Sequence, residues 1–155
     1  MGKLIELTGN FWKVMPRGMR AFVTRRVQPT FTCSAAGIVT NENGEVLLLD
    51  HVLRPASGWG IAGGFLNNGE QAAAALRREI SEETGLELMN IRLYRVRTLR
   101  RHIEVIFTAS SSGTPEVKSR EIREARWFAI DKMPGEMSLQ QQFMIRAALG
   151  QEDAA

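Results

Sequence analysis

The stretch from Gly63 to Leu86, GGFLNNGEQAAAALRREISEETGL, constrains this chain more than any other. A run of four alanines predicts a helix from about Gly69 to Thr84, with Asn68 as its cap, Gln71 three positions on, and Gly85 as the left-handed residue that ends it. In such a helix Glu79, Glu82 and Glu83 stand at i, i+3 and i+4 and share one side. Ala73, Leu76 and Ile80 share the adjoining side, so aliphatics can face a core while three carboxylates gather at its edge. Like charges at this spacing repel, and without a counterion some would take up protons. A hard divalent cation, Mg²⁺ or Mn²⁺, resolves the conflict with oxygen ligands alone. A solvated acidic face is the plainer alternative for a charged helix.

The rest of the chain sets the frame for that helix. Its 155 residues fit one domain, and the 44% apolar and 24% charged content is that of an ordinary globular protein. No apolar run is long enough to span a bilayer, and MGKLIELTGN lacks the apolar segment and cleavage site of a secretory signal. The expected location is therefore the cytoplasm, with no membrane partner. The lone Cys33 reads as a small core residue of a strand. The net charge of +3 is unevenly placed: residues 1 to 30 carry Lys3, Lys13, Arg17, Arg20, Arg25 and Arg26 against Glu6 alone. RLYRVRTLRR adds Arg92, Arg95, Arg97, Arg100 and Arg101 without an acid. Such clusters hold phosphates or nucleic acid, or are solvated faces.

FTCSAAGIVT and EVLLLD flank NENG, where Asn43 and Gly44 are expected to supply the positive φ angles of a hairpin turn. HVLRPASGWGIAGG reads as a loop with at most a short strand inside it. IRLYRVRTL and HIEVIFTAS read as two strands, and ARWFAI as a third after a polar loop. SLQQQFMIRAAL predicts a last helix with Phe143, Ile145 and Leu149 on its apolar side. The segment NFWKVMPRGMRAFVTRRV is amphipathic, with Pro16 and Gly18 as breaks, and suits packing on the domain or on a second subunit. Strands before and after a central helix, with another helix at the end, argue an α/β fold in which a mixed sheet is covered on both faces.

Gly64, Glu70, Arg78-Glu79-Ile80, Glu82-Glu83 and Gly85-Leu86 recur at the spacing of the Nudix box, and the chain resembles the Nudix hydrolase family, MutT-like bacterial members in particular. The likeness covers roughly residues 30 to 150 and divides the chain into an N-terminal basic amphipathic extension, 1–30, and a Nudix domain, 31–150. It implies an α/β/α sandwich with a mixed central sheet. It also implies attack of water on the diphosphate linkage of a nucleoside diphosphate derivative, such as a nucleotide sugar, ADP-ribose or a nucleoside triphosphate. By this resemblance Glu79, Glu82 and Glu83 are metal ligands, with Glu83 foremost, and Glu70 supports them through water. Arg78 holds a carboxylate by a bidentate ion pair, Gly63 and Gly64 let the loop backbone approach the substrate, and Gly85 ends the helix. One departure is Ala62, where the family commonly has proline, a change expected to loosen the loop.

The residue that helps water attack is expected outside the box. Glu121, after the loop SSSGTPEVKS, is the first candidate because that loop can close over substrate, and Glu104 is the second. Ion pairing with neighbouring arginines is the alternative use of both. Arg54 is a candidate phosphate contact, and Trp59, Trp127 and Phe128 are candidates for stacking on a base or for core packing. His51 and His102 are read as surface or strand residues. Two competing functions remain: removal of pyrophosphate from RNA 5′ ends, suggested by the arginine-rich strand, and regulatory nucleotide binding without hydrolysis. A homodimer through Phe11, Trp12, Met15, Phe22 and Val23 is a further expectation.

Overall fold

Leu47, Leu48 and Leu49 are all fully buried, which consecutive strand residues achieve only when both faces of their sheet are covered. The computed structural model, which describes residues 11–54 and 57–150, shows both coverings. The strands are β1 (Thr32–Thr40), β2 (Val46–His51), β3 (Trp59–Gly60), β4 (Ala62–Phe65), β5 (Met89–Leu99), β6 (His102–Ser110) and β7 (Ile122–Phe128). They form one sheet in the order β3-β2-β1-β6-β5, with β4 added to β1 and β7 to β2. β1 runs parallel to β6 and antiparallel to β2 and β4, so the sheet is mixed.

Alternate strand residues feed two cores. Ala35, Val39, Leu47, Leu49 and Phe107 pack with Ala75, Leu76 and Ile80 of one helix, Ala72–Thr84. Ala36, Ile38, Val46, Leu48 and Ile106 pack with Met144 and Ile145 of another, Leu139–Ala148. The result is the α/β/α sandwich that the sequence predicts. Phe143 corrects the expected apolar side of the last helix: it is exposed, and Met144 and Ile145 are the buried pair.

The chain divides into two compact units between Phe31 and Thr32. In the first, residues 11–14 are helical and α1 (Arg17–Val27) follows; among the described residues the later α-helices are α2 (Ala72–Thr84) and α3 (Leu139–Ala148). Gly18 does not break α1. Pro16 sits at its N-cap, where a missing N–H costs nothing.

Three local expectations change for physical reasons. Helix α2 starts at Ala72 with Gln71 at its N-cap, and Asn68 makes no cap. Gly69 instead takes a left-handed φ of 79°, and the Glu70 N–H donates to the Asn67 carbonyl, so residues 67–70 are a turn that delivers Glu70. In the hairpin only Gly44 has a positive φ; Asn41 Oδ1 accepts the N–H groups of Asn43 and Glu45 and shapes a longer loop. Ala62 does not loosen its loop, because it is fully buried and paired opposite Gly37 in the β1–β4 ladder.

Gly63 is the tightest point of that ladder. Its φ is 154°, and a Cβ there would fall on the carbonyl oxygen of Ala35 and lie 2.7 Å from Ala36 Cα, both backbone atoms that cannot swing aside. We predict that Gly63→Ala lowers unfolding free energy by at least ~2 kcal/mol, the scale of combined backbone strain and overpacking. Gly44→Ala, which meets no atom within 4 Å and suffers only its φ of 75°, should cost about 1 kcal/mol. Urea unfolding of both variants checks the ranking.

Candidate active site

The end of α2 carries the glutamates, and the sequence of that helix decides which way each one faces. Ile80, Glu83 and Thr84 fall on its buried side, and Glu82 on its outer side. Thr84 Oγ1 donates to the Ile80 carbonyl at 2.7 Å and accepts the Leu86 N–H, so the last turn is closed from within. Gly85 takes φ 71° and its N–H donates to the Ser81 carbonyl, which ends the helix as expected.

Arg78 is the hub of the acidic cluster. Its Nε and Nη2 grip both oxygens of Glu70 at 2.9 and 3.0 Å, and Nη1 reaches Glu79 at 2.7 Å and Glu82 at 3.3 Å. Nη2 also donates to the Phe65 carbonyl at 3.1 Å, tying α2 to the end of β4. One guanidinium thereby supplies the counterion that the bare spacing of glutamates lacks. Glu70 also accepts the Asn67 N–H at 2.8 Å; its fork with Arg78 and this bond hold its carboxyl down to about 2. Both Glu70 oxygens are therefore engaged within the protein.

Glu83 is the exception. It is 7% exposed, and its Oε2 is buried with no hydrogen-bond partner. Burial first, then the charges of Glu79 and Glu121, push its carboxyl up to about 8, with Arg54 opposing and Glu82 adding. Gly64 lies against the same cluster: a Cβ there would strike the Glu79 carboxylate. Among the described residues no three acidic, histidine or cysteine side chains already stand as a closed cation cage. Arg78 draws Glu79 and Glu82 toward itself, and Glu82 stays 61% exposed. The donor set nevertheless fits a divalent cation: an unsatisfied buried carboxylate oxygen beside further carboxylates, all hard oxygen donors.

Beside this cluster lies a cavity of about 190 Å³ lined by Ala35, Arg54, Gly63, Gly64, Glu104 and Gln141, among others. Arg54 donates to the Ile61 carbonyl through Nη2 at 3.4 Å, while its Nη1 is buried and unpartnered. Burial lowers the Arg54 pKa, and Glu83 and Glu104 oppose the shift. Gln141 Oε1, from α3, is buried and unpartnered too. Both atoms crowd the bare Cα of Gly60, where any side chain would displace them. Gln141 was not singled out in the sequence, and a glutamine in a run of three offers no signal. Glu104 is paired with Arg97 across the β5–β6 ladder, which is the alternative foreseen for it.

A second cavity of about 530 Å³ is lined by Tyr94, Arg95, Arg97, Leu139, Gln140, Phe143, Met144 and Ala147. The Arg97–Glu104 pair and the Gln140–Gln141 dipeptide contribute to both linings, so the two cavities share a wall. Arg92, Arg95, Arg100 and Arg101 are exposed.

Glu121 is exposed at the start of β7, close enough to Glu83 to raise its pKa. The loop before it is not poised to close. Glu116 and Lys118 N–H groups donate to the Thr84 and Glu83 carbonyls at 2.9 and 3.0 Å, Trp127 Nε1 donates to the Gly113 carbonyl, and the Glu121 carbonyl accepts the Val52 N–H. The loop is spent on capping the end of α2. Trp59 packs edge-on against Phe128, with centroids 5.0 Å apart, and Trp127 packs against the α2 core. His102 bonds Thr32 and Ser34, and burial holds His51 near 4 and hence neutral.

The family model of the NUDIX domain matches residues 30–147. The chain belongs to the Nudix family. The proteins it resembles include a MutT-like protein and a MutT NUDIX hydrolase. A MutT-like protein of Streptomyces ambofaciens is 30% identical over 113 residues, which cover 71% of each chain. The MutT NUDIX hydrolase of Burkholderia pseudomallei matches at a TM-score of 0.61 and 29% identity, covering 80% of this chain and 98% of that one. The NAD-capped RNA hydrolase NudC of Vibrio atlanticus is 29% identical over 99 residues, 62% of this chain. That match spans 36% of the relative, so the chain corresponds to little more than a third of the NudC length.

Within the Nudix box, Arg78 joins three carboxylates and a carbonyl through one planar fork. A lysine has one point charge and cannot grip Glu70 bidentately. Arg78→Lys should therefore lower stability by about 1–3 kcal/mol, the range for losing charged hydrogen bonds in a partly buried network. Thermal unfolding monitored by circular dichroism checks this, and an unchanged midpoint would remove Arg78 from its role as hub.

Proposed function

We propose that this Nudix hydrolase is a divalent-cation-dependent pyrophosphohydrolase that cleaves the diphosphate linkage of a nucleoside diphosphate derivative. The observation that carries the reading is Glu83, a buried carboxylate with an unsatisfied oxygen, set among Glu79, Glu82 and Glu121 and facing Arg54. Residues 31–150 form the hydrolase unit in this reading, and residues 1–30 are an extension. The cytoplasm is the proposed location.

Glu79, Glu82 and Glu83 would hold Mg²⁺ or Mn²⁺, and Glu70 positions Arg78 behind them. When bound, the ion supplies neutralising charge for the phosphates and acidity for the attacking water. Arg54 donates its unpartnered Nη1 to a non-bridging phosphate oxygen, a bond that strengthens as negative charge builds on the leaving phosphate. Gly63 and Gly64 line the cavity of about 190 Å³, where the diphosphate would lie. Glu121 accepts a proton from the attacking water, while Glu104, committed to Arg97, fixes the wall of the cleft. The group beyond the diphosphate extends toward the cavity of about 530 Å³, where Tyr94 and Phe143 offer aromatic faces and Arg95 and Arg97 offer charge.

The second reading, action on dinucleotide diphosphates or RNA 5′ ends, is favoured by those two arginines and by the names of the NudC relatives. A regulator that binds without hydrolysis is disfavoured by the unsatisfied charge of Glu83. The test is a panel of NAD, ADP-ribose, nucleotide sugars, nucleoside triphosphates and 5′-triphosphorylated RNA with Mg²⁺, scored by released products. On the best substrate, Glu83→Gln and Glu121→Gln should each lower kcat by about a hundredfold or more, while Glu104→Gln costs far less. Parent-like turnover by Glu83→Gln at saturating Mg²⁺ would refute the assignment, and parent-like turnover by Glu121→Gln would remove it as the base.

A further inference from the structure

Helix α1 has no buried residue, and most of its large apolar side chains gather on one side. Met19, Phe22, Val23 and Val27 recur at helical spacing and form one apolar face, on which Met19, Phe22 and Val27 are 52%, 61% and 72% exposed. Arg17, Arg20, Thr24 and Arg25 form the other face. Arg26 lies within the apolar face, but its guanidinium carbon sits 5.4 Å from the Phe22 ring centroid, a cation–π contact along which its apolar stem can lie. Just upstream, Phe11, Trp12 and Val14 are also exposed. Residues 11–31 contain Lys13 and four arginines and no acidic residue.

We propose that α1 is an interfacial helix that seats this chain on an anionic lipid surface. An apolar half-cylinder needs an apolar medium, and a flanking row of cations without one acid needs a negatively charged one; the boundary of an anionic bilayer supplies both. The helix lies on the surface rather than crossing it: eleven residues rise about 16 Å, roughly half the thickness of a hydrocarbon core. Pairing with the same helix of a second copy, the arrangement expected from the apolar residues alone, would bring Arg26 of both copies into the seam with no acid in residues 11–31 to offset it, and is disfavoured by repulsion. Nucleic acid satisfies the arginines but leaves Met19, Phe22, Val23 and Val27 in water. The sequence reading expects no membrane partner because it weighs only spanning segments. A surface-lying helix escapes that criterion.

The experiment is co-sedimentation of the full chain with large vesicles of phosphatidylcholine alone or mixed with phosphatidylglycerol, at physiological ionic strength. The parent should partition strongly onto the anionic vesicles only. Arg20→Glu with Arg25→Glu should reduce that partition more than tenfold, since each cation near an anionic surface contributes roughly fivefold. Phe22→Ser, which leaves every charge in place, should also weaken it, and both variants should hydrolyse a soluble substrate as the parent does, which shows that they fold. Equal partition onto both vesicle types, or partition indifferent to Phe22→Ser, overturns the proposal. So does a dimer, measured by light scattering, that Phe22→Ser dissociates without any vesicle binding. Arginine substitutions that weaken single-stranded RNA binding and leave sedimentation unchanged assign the helix to nucleic acid instead.

Discussion

A carboxylate buried among other carboxylates without a hydrogen-bond partner is the constraint around which this molecule is organised. Glu83 has only a small exposed fraction, and no protein group satisfies its inner oxygen. Folding such a group costs free energy, because burial and neighbouring negative charge both oppose ionisation. A sequence selected for stability alone would place a leucine or glutamine there. The proposed function accounts for that cost: a cation bound at this position would supply the partner that the protein does not.

The surrounding fold limits that cost to one residue. Arg78 absorbs the repulsion that three further glutamates would otherwise add, and through the Phe65 carbonyl it ties the helix to the glycine strand. Gly63 and Gly64 bring that strand so close that side chains would collide with Ala35 and Glu79. The loop from Gly113 to Glu121 caps the far end of the same helix and carries Glu121 toward Glu83. Satisfied and unsatisfied groups divide cleanly here: Glu70 and Arg78 satisfy one another, while Glu83 Oε2 and Arg54 Nη1 are buried without a partner.

The layered fold was legible because its signals are local. Buried runs such as VLLL at β2, the helical period of α2 and the left-handed Gly85 each carry their own explanation. The helix start was misread because Asn68 looks like a cap, whereas the geometry is set by Arg78 pulling Glu70 from eight residues away. Arg78 itself was foreseen as an ion-pair residue, but its three-way grip depends on where Glu79 and Glu82 turn. Gln141 was invisible, since nothing in SLQQQF distinguishes the glutamine that faces Arg54 from its neighbours. The loop before Glu121 looked mobile from its serines and glycine, and only the tertiary hydrogen bonds to the end of α2 reveal that it is tied. Long-range partners decide these cases, and a one-dimensional pattern does not contain them.

In the proposed reading the buried Glu83 carboxyl destabilises the fold when it ionises and a bound cation offsets that cost, and thermal unfolding with and without Mg²⁺ or Mn²⁺ measures this most directly. In the presence of chelator and above pH 8, where the raised pKa of Glu83 leaves its buried carboxyl ionised, Glu83→Gln should melt at or above the parent, because it removes a buried, unpartnered charge. With cation at about a hundred times its dissociation constant, the parent should gain about 2.7 kcal/mol and the variant should gain little. A variant that melts below the parent without cation, or gains as much as the parent with it, would contradict the account.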